Sequence, residues 1–101
     1  MTVAVLGTMR VSPEAAKTLL PALKTLVDAT RRDDGCIAYD VGLDPFEPGL
    51  FRFSELWPDQ ASLTAHISAA HIAPWRAAIQ AAGGVIERNF TIYDASNARP
   101  L

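Results

Sequence analysis

His66 is the side chain whose type and position most favour chemistry. It lies on the apolar stripe of a predicted helix, between Leu63 and Ile67, and should therefore point inward. Because histidine titrates near neutral pH, an inward His66 could act as a general base or a hydrogen-bond donor in a pocket between helix and sheet. The alternative is a core histidine whose ring is satisfied by a single structural hydrogen bond.

Glu55 is the second candidate. It alternates with aromatic residues on one face of a predicted strand, namely Phe51, Phe53 and Trp57. A carboxylate among aromatic side chains is costly to bury unless it is paired. Glu55 could therefore orient His66 or His71, or bind a substrate hydroxyl. The alternative is a structural ion pair with one of three arginines, Arg10, Arg52 or Arg88.

A metal site is not predicted. His71 follows His66 by five residues, which places the two rings about 140° apart on an unbroken helix. Only a helix break, which Pro74 could supply, would bring them together. The sequence shows no spacing typical of a site with two histidines and one carboxylate. Cys36, the one cysteine, is expected to be a small buried hydrophobic residue.

These residues must be positioned by six elements of a single domain covering residues 1–101, with a core over about 3–94 and a loose tail over 95–101. Ser12, Pro13 and Glu14 open the first helix, and Pro21 within it is expected to bend the helix rather than break it. A second helix begins after Asp59, and a break near residues 71–74 is expected to precede a further turn or two. The predicted strands are residues 3–10, 36–43, 50–57 and 85–94. The order is βαββαβ, an α+β ferredoxin-like fold with an antiparallel sheet.

The sequence also predicts pairing of two copies. Apolar side chains alternate along the last strand (Ile86, Phe90 and Ile92) and along the second (Ile37, Tyr39, Val41 and Leu43). The two helices can cover one face of the sheet, and no remaining segment can cover the other. We therefore expect an apolar open face that packs against a second copy, with Tyr39 facing that interface.

Composition excludes several classes of protein. The 101 residues carry a net charge of -2 without a basic stripe, so nucleic acid is not an expected partner. Apolar runs are shorter than the roughly 18 residues that span a membrane. The first residues lack the basic start and long apolar stretch of a signal peptide. A lone cysteine rules out an internal disulfide, and these features together predict a cytoplasmic protein.

Three segments carry a resemblance to a known family. They are DDGCIAY (residues 33–39), FSELW (53–57) and LTAHISAAH (63–71). Their order and spacing resemble the antibiotic biosynthesis monooxygenase family, including its quinol monooxygenase-like members, over about residues 3–94. The resemblance implies a dimeric α+β barrel with a pocket between the sheet and helices of each subunit. It also implies oxygenation that, in many members, uses no metal, flavin or haem.

The resemblance implies roles for individual residues. His66 would be the base or donor, with Glu55 as its catalytic partner. The substrate-binding candidates are Trp57, His71, Phe53, Thr8 and Trp75. Haem is not expected, because no histidine stands near Trp75 where haem-degrading relatives place the axial ligand.

The expected activity is cofactor-free oxygenation of a small aromatic quinol or polyphenol by molecular oxygen in a homodimer. Two alternatives remain open. One is isomerisation of a small hydroxyketone, for which a phosphorylated substrate would need at least two basic groups at the pocket mouth. The candidates are Arg10, Arg52, Arg76 and Arg88. The other is a non-catalytic module binding a small molecule, with both histidines fully engaged in structural hydrogen bonds.

Overall fold

A computed structural model describes all residues from 1 to 101. The elements are β1 (Thr2–Arg10), α1 (Pro13–Asp33), β2 (Ala38–Leu43), β3 (Leu50–Trp57), α2 (Gln60–Ile67), α3 (Ile72–Ala81) and β4 (Glu87–Ala95). The four strands form one antiparallel sheet in the order β2-β3-β1-β4. The predicted α+β, ferredoxin-like order is confirmed, with the second helical segment divided into α2 and α3.

Helix α1 begins and ends where its sequence indicates. Ser12 is the N-cap, and its hydroxyl accepts a hydrogen bond from the Ala15 N–H at 3.1 Å. Pro13 occupies the first turn, where no backbone donor is lost. The helix continues through Pro21 without a break and closes at Asp34, whose N–H donates to the Thr30 carbonyl. The C-terminal end of α1 therefore determines the position of Asp34, which is its C-cap.

The strand register decides which side chains face the helices. Glu55 is paired with Val5 on one side and with Tyr39 on the other, and all three lie on the helix-covered face. Phe90 and Ile92 lie opposite Gly7 and Val5, so they share this face. The core between sheet and helices is closed by large side chains that are fully buried, among them Trp57, Phe51, Leu19 and Leu26.

The open face of the sheet differs from the sequence-based expectation. Tyr39, Val41, Phe90 and Ile92 all point to the helix side, so the expectation that the second and fourth strands leave an apolar open face is wrong. The open face is mixed, with exposed Leu6 and Tyr93 among polar neighbours such as Thr8, Arg52, Ser54 and Asn89. An uncovered apolar face is therefore no longer an argument for pairing of two copies.

The chain's last residues lie beyond the sheet. β4 includes Ala95, and residues 96–101 lie outside any helix or strand and are exposed.

None of the helices has both the length and the apolar character that crossing a membrane requires.

Candidate active site

A pocket of about 500 Å³ lies between the sheet and the segment formed by α2 and α3. Most of its walls are apolar, with Met9 and Phe53 from the sheet and Trp75 and Ile79 from α3. Three buried side chains bring polar atoms to it, Tyr39, Glu55 and His66. Three exposed polar residues, Arg76, Gln80 and Arg88, complete its rim. An apolar cavity with a few convergent polar groups is typical of a small-molecule site.

His66 points inward from α2, as predicted, with 6% of its surface exposed. Its ring lies 4.8 Å from the Trp57 ring and 5.2 Å from the Tyr39 ring, measured between centroids. Nδ1 is 2.7 Å from Asp34 Oδ2. Nε2 makes no hydrogen bond within the chain. His66 lines the pocket, and because Nδ1 is engaged by Asp34, Nε2 is the ring nitrogen left for a ligand there.

Asp34 is the site residue that sequence reasoning missed. Its Oδ2 is 2.7 Å from His66 Nδ1 and 2.8 Å from His71 Nε2, so one carboxylate oxygen holds both histidines. The helix ends at Ile67 and resumes at Ile72, and this break brings the two rings together. The spacing of residues along the sequence did not indicate this contact between one carboxylate and two histidines. The sequence feature that could have pointed to Asp34 is the segment DDGCIAY, residues 33–39, which contains it.

The arrangement fixes the proton on His66. A carboxylate can only accept, so the hydrogen bond at Asp34 requires N–H at Nδ1. In the neutral ring Nε2 then carries the lone pair and is the nitrogen available as an acceptor. The three ligand atoms of Asp34, His66 and His71 also lie within 4.8 Å of one another, a set of donors that could hold a metal ion.

Glu55 makes no hydrogen bond or ion pair with either histidine. Its Oε1 accepts a hydrogen bond from the Trp57 indole N–H at 3.0 Å, so the expectation that Glu55 orients a histidine is wrong. Burial raises the pKa of Glu55, although the hydrogen bond from Trp57 opposes the rise. A carboxyl with a raised pKa that lines a pocket is suited to bind a hydroxyl group.

The arginines considered as partners of Glu55 are mostly engaged elsewhere. Arg10 pairs with Glu47 and Arg52 pairs with Asp44. Arg88 lies 4.8 Å above the Phe90 ring and lines the pocket, and its charge partly offsets the raised pKa of Glu55. Arg76 also lines the pocket, and its guanidinium donates to the Ile67 carbonyl. Two basic groups therefore stand at the rim of the His66 pocket.

Tyr39 is a second residue whose position was not foreseen. It is buried on the helix side and lines the pocket, so the expectation that it faces a second copy is wrong. Desolvation raises the pKa of its hydroxyl further above the ordinary tyrosine value, with the nearby Glu55 carboxylate adding to the rise. Tyr39 thus keeps its proton and can donate a hydrogen bond into the pocket.

The remaining predicted residues divide between the pocket and its surroundings. Phe53 and Trp75 line the pocket. Trp57 is fully buried behind His66 and is not part of the pocket wall. His71 lies outside the pocket against Asp34. Thr8 lies on the opposite face of the sheet, because β1 side chains alternate and Val5 and Met9 face the helices, so it does not belong to this site.

Comparison with known proteins agrees with the fold. The sequence model for antibiotic biosynthesis monooxygenase matches residues 2–78. An uncharacterized protein of Synechocystis sp. is 30% identical over 64 residues, which are 63% of this chain, and the match spans less than half (44%) of that relative.

Solved structures cover nearly the whole chain. A Deinococcus radiodurans protein provisionally named as an antibiotic biosynthesis monooxygenase superposes with a TM-score of 0.86 and 29% identity, covering 98% of this chain and 97% of its own. A second structure, named antibiotic biosynthesis monooxygenase, has a TM-score of 0.83 and 32% identity, over 94% of this chain and 99% of its own. On the sequence match and this shared architecture, the chain belongs to the antibiotic biosynthesis monooxygenase family.

Proposed function

We propose that this protein is a monooxygenase that needs no cofactor and acts on a small aromatic quinol or polyphenol, with His66 as its base. The observation that carries the proposal is the orientation of one ring. Asp34 engages Nδ1 at 2.7 Å, which leaves Nε2 as the free nitrogen of a ring that lines an aromatic-walled pocket. Family membership supports the oxygenase chemistry.

This chemistry requires a general base and a cavity that excludes most water. Nε2 takes the proton of a substrate hydroxyl, and the resulting phenolate gives an electron to oxygen. The two radicals join in a carbon–oxygen bond, and the peroxide anion that forms takes the proton back from His66 to become a hydroperoxide. Loss of water then leaves one oxygen atom on the ring as a hydroxyquinone, while the other leaves as water. The quinol itself supplies all the electrons that reduce oxygen, so the reaction needs no further reductant.

The other pocket residues support these steps. The Tyr39 hydroxyl can donate a hydrogen bond to an oxygen that gains negative charge. Glu55 can bind the second hydroxyl of the substrate, since Trp57 engages only one of its two oxygens. Phe53 and Trp75 form aromatic walls that suit a flat ring and limit water around the reacting atoms.

Oxygen uptake with a panel of hydroquinones tests the proposal directly. The protein should turn over at least one of them, and His66→Ala should reduce kcat by roughly a hundredfold or more, the usual contribution of a general base. Thr64→Ala, on the exposed side of the same helix, is the matched control and should keep the wild-type rate. Absence of turnover across the panel, or an unchanged rate in His66→Ala, would refute the mechanism.

Pairing into a homodimer belongs to the same proposal and rests on the family rather than on an apolar face. The exposed Leu6 and Tyr93 would lie near the centre of a sheet-to-sheet contact. Sedimentation at micromolar concentration should give twice the chain mass, and Leu6→Lys should shift it toward the monomer. A stable wild-type monomer would refute the pairing.

A second function has one observation in its favour. Arg76 and Arg88 both line the His66 pocket, and an isomerase of a phosphorylated hydroxyketone needs two such basic groups. His66 would then move a proton next to a carbonyl. An NMR assay of proton exchange next to the carbonyl of such a ketone in D₂O separates the two functions, because the isomerase would show exchange without oxygen uptake.

A further inference from the structure

We propose that Asp34, His66 and His71 form a binding site for one divalent transition-metal ion, such as Zn²⁺ or Co²⁺. The donor set consists of two imidazole nitrogens and one carboxylate oxygen, which suits these ions. All three ligand atoms lie within 4.8 Å of one another. The site adjoins the pocket through His66 alone, since neither Asp34 nor His71 lines the pocket.

Binding one ion requires the three donors to rearrange around it. Donors about 2.1 Å from a shared ion lie roughly 3.0–3.4 Å apart, depending on the coordination angle. The two nitrogens stand 2.7 and 2.8 Å from Asp34 Oδ2, so each N···O separation would open by a few tenths of an ångström. The two nitrogens, which lie within 4.8 Å of each other, would also have to come within about 3.4 Å, which small rotations of the two rings can supply. The donors are held at the end of α1, in the last turn of α2 and at the N-cap of α3. Such placement at the ends of packed helices favours a preformed site.

Charge and access both suit a cation. The Asp34 side chain is only 10% exposed, and its ion-pair partners are the two histidines, with no lysine or arginine among them. A dication would therefore offset a nearly buried negative charge. The side chain of His71 is 20% exposed, against 6% for His66, so an ion would enter from the His71 side and its remaining positions would hold water.

Metal binding would change what His66 presents to the pocket. In the metal-free protein the proton is on Nδ1 and the lone pair on Nε2. An ion bound to Nδ1 requires that nitrogen to be unprotonated, so the neutral ring carries its proton on Nε2. His66 would change from an acceptor into a donor. This consequence for catalysis rests on the proposed oxygenase function, whereas the binding site itself does not.

The binding test uses tag-free protein treated with a chelator and titrated with Co²⁺, followed by visible absorption and calorimetry. We expect one ion per chain. His71→Gln keeps a donor for Asp34 but removes a ligand, and it should weaken binding by at least tenfold. Cys36→Ser and Asp33→Asn are the matched controls and should bind as the wild type does, because neither side chain is among the ligands. Circular dichroism checks that each variant is folded.

The ring nitrogens provide a second readout that does not depend on activity. The chain has two histidines, so their ¹⁵N shifts are easily assigned. The proton of His66 should be on Nδ1 in the chelated protein and on Nε2 with Zn²⁺. Failure to bind one ion per chain, binding that survives His71→Gln unchanged, or binding lost in Cys36→Ser would overturn the proposed site.

Turnover measurements separate this inference from the proposed function. Zn²⁺ at one equivalent should inhibit oxygen uptake by wild type and leave His71→Gln uninhibited. One-to-one binding with the expected proton shift but full turnover would refute His66 as the base while leaving the metal site intact. Turnover in chelator without any metal binding would refute the site while leaving the oxygenase proposal intact.

Discussion

Asp34→Asn is the substitution that most directly tests whether Asp34 determines which ring nitrogen of His66 carries the proton. Asp34 does not line the pocket, so it should act only through the 2.7 Å contact with His66 Nδ1. Asparagine has nearly the same shape, but it can turn its amide N–H₂ toward Nδ1. Nδ1 would then be the acceptor, and the proton of the neutral ring would lie on Nε2. The pocket would lose its base without losing any wall.

The expected loss follows from that single change. General-base catalysis contributes roughly 10²–10⁴ in rate, which corresponds to about 3–5 kcal/mol of activation free energy. We therefore expect kcat for quinol oxygenation to fall within this range in Asp34→Asn. KM should change little, because the residues in contact with substrate are unchanged.

The assay is a double-mutant cycle in initial oxygen-uptake rates. His66→Gln removes the base and keeps an amide donor for Asp34. Since both substitutions remove the same function, the double variant should be no slower than His66→Gln alone. Asp33→Asn, at an exposed neighbouring carboxylate paired with Arg32, is the control and should keep the wild-type rate. A rate within threefold of wild type in folded Asp34→Asn would refute the reasoning, as would losses that simply add.

Two further predictions concern stability. Burial raises the pKa of Glu55 in the folded chain, so the folded chain holds this proton more tightly than the unfolded chain does. Stability is therefore lost as pH rises through the folded-state pKa. The loss is about 1.4 kcal/mol for each pH unit that separates the folded and unfolded pKa values. Glu55→Gln should therefore raise Tm relative to wild type at pH 7 but much less near pH 4, and a Tm gain that does not grow with pH would contradict this. Gly7→Ala would place a Cβ 2.2 Å from Phe90 Cδ2, so denaturant unfolding should show a loss of about 1–3 kcal/mol. Gly42→Ala, with no atom within 4 Å of its Cβ, is the control, and equal losses in the two variants would refute the clash.

The sequence predicted the parts of the fold that depend on neighbouring residues. The cap at Ser12, the alternation around Glu55 and the apolar stripe around His66 are each read within a few positions. The inward direction of His66 followed from that stripe alone. Local patterns therefore established the order of elements and one member of the candidate site.

Contacts between residues that are far apart in the sequence could not be predicted in this way. Asp34 precedes His66 by 32 residues, and only the packing of the end of α1 against α2 brings them together. Alternation shows that Phe90 and Ile92 share a face, but only the pairing of β4 with β1 shows that this face is the one under the helices. Tyr39 was misplaced for the same reason, since its face depends on pairing with Glu55.

The break between α2 and α3 is the feature that makes the site possible. On a continuous helix His66 and His71 would point about 140° apart and could not share one carboxylate oxygen. Pro74 disfavours such a helix, because it lacks the N–H that would bond the Ala70 carbonyl. In the broken arrangement Pro74 falls in the first turn of α3, where that donor has no helical partner in any case. The proline is thus accommodated at little cost, and the interruption leaves both rings on Asp34 Oδ2.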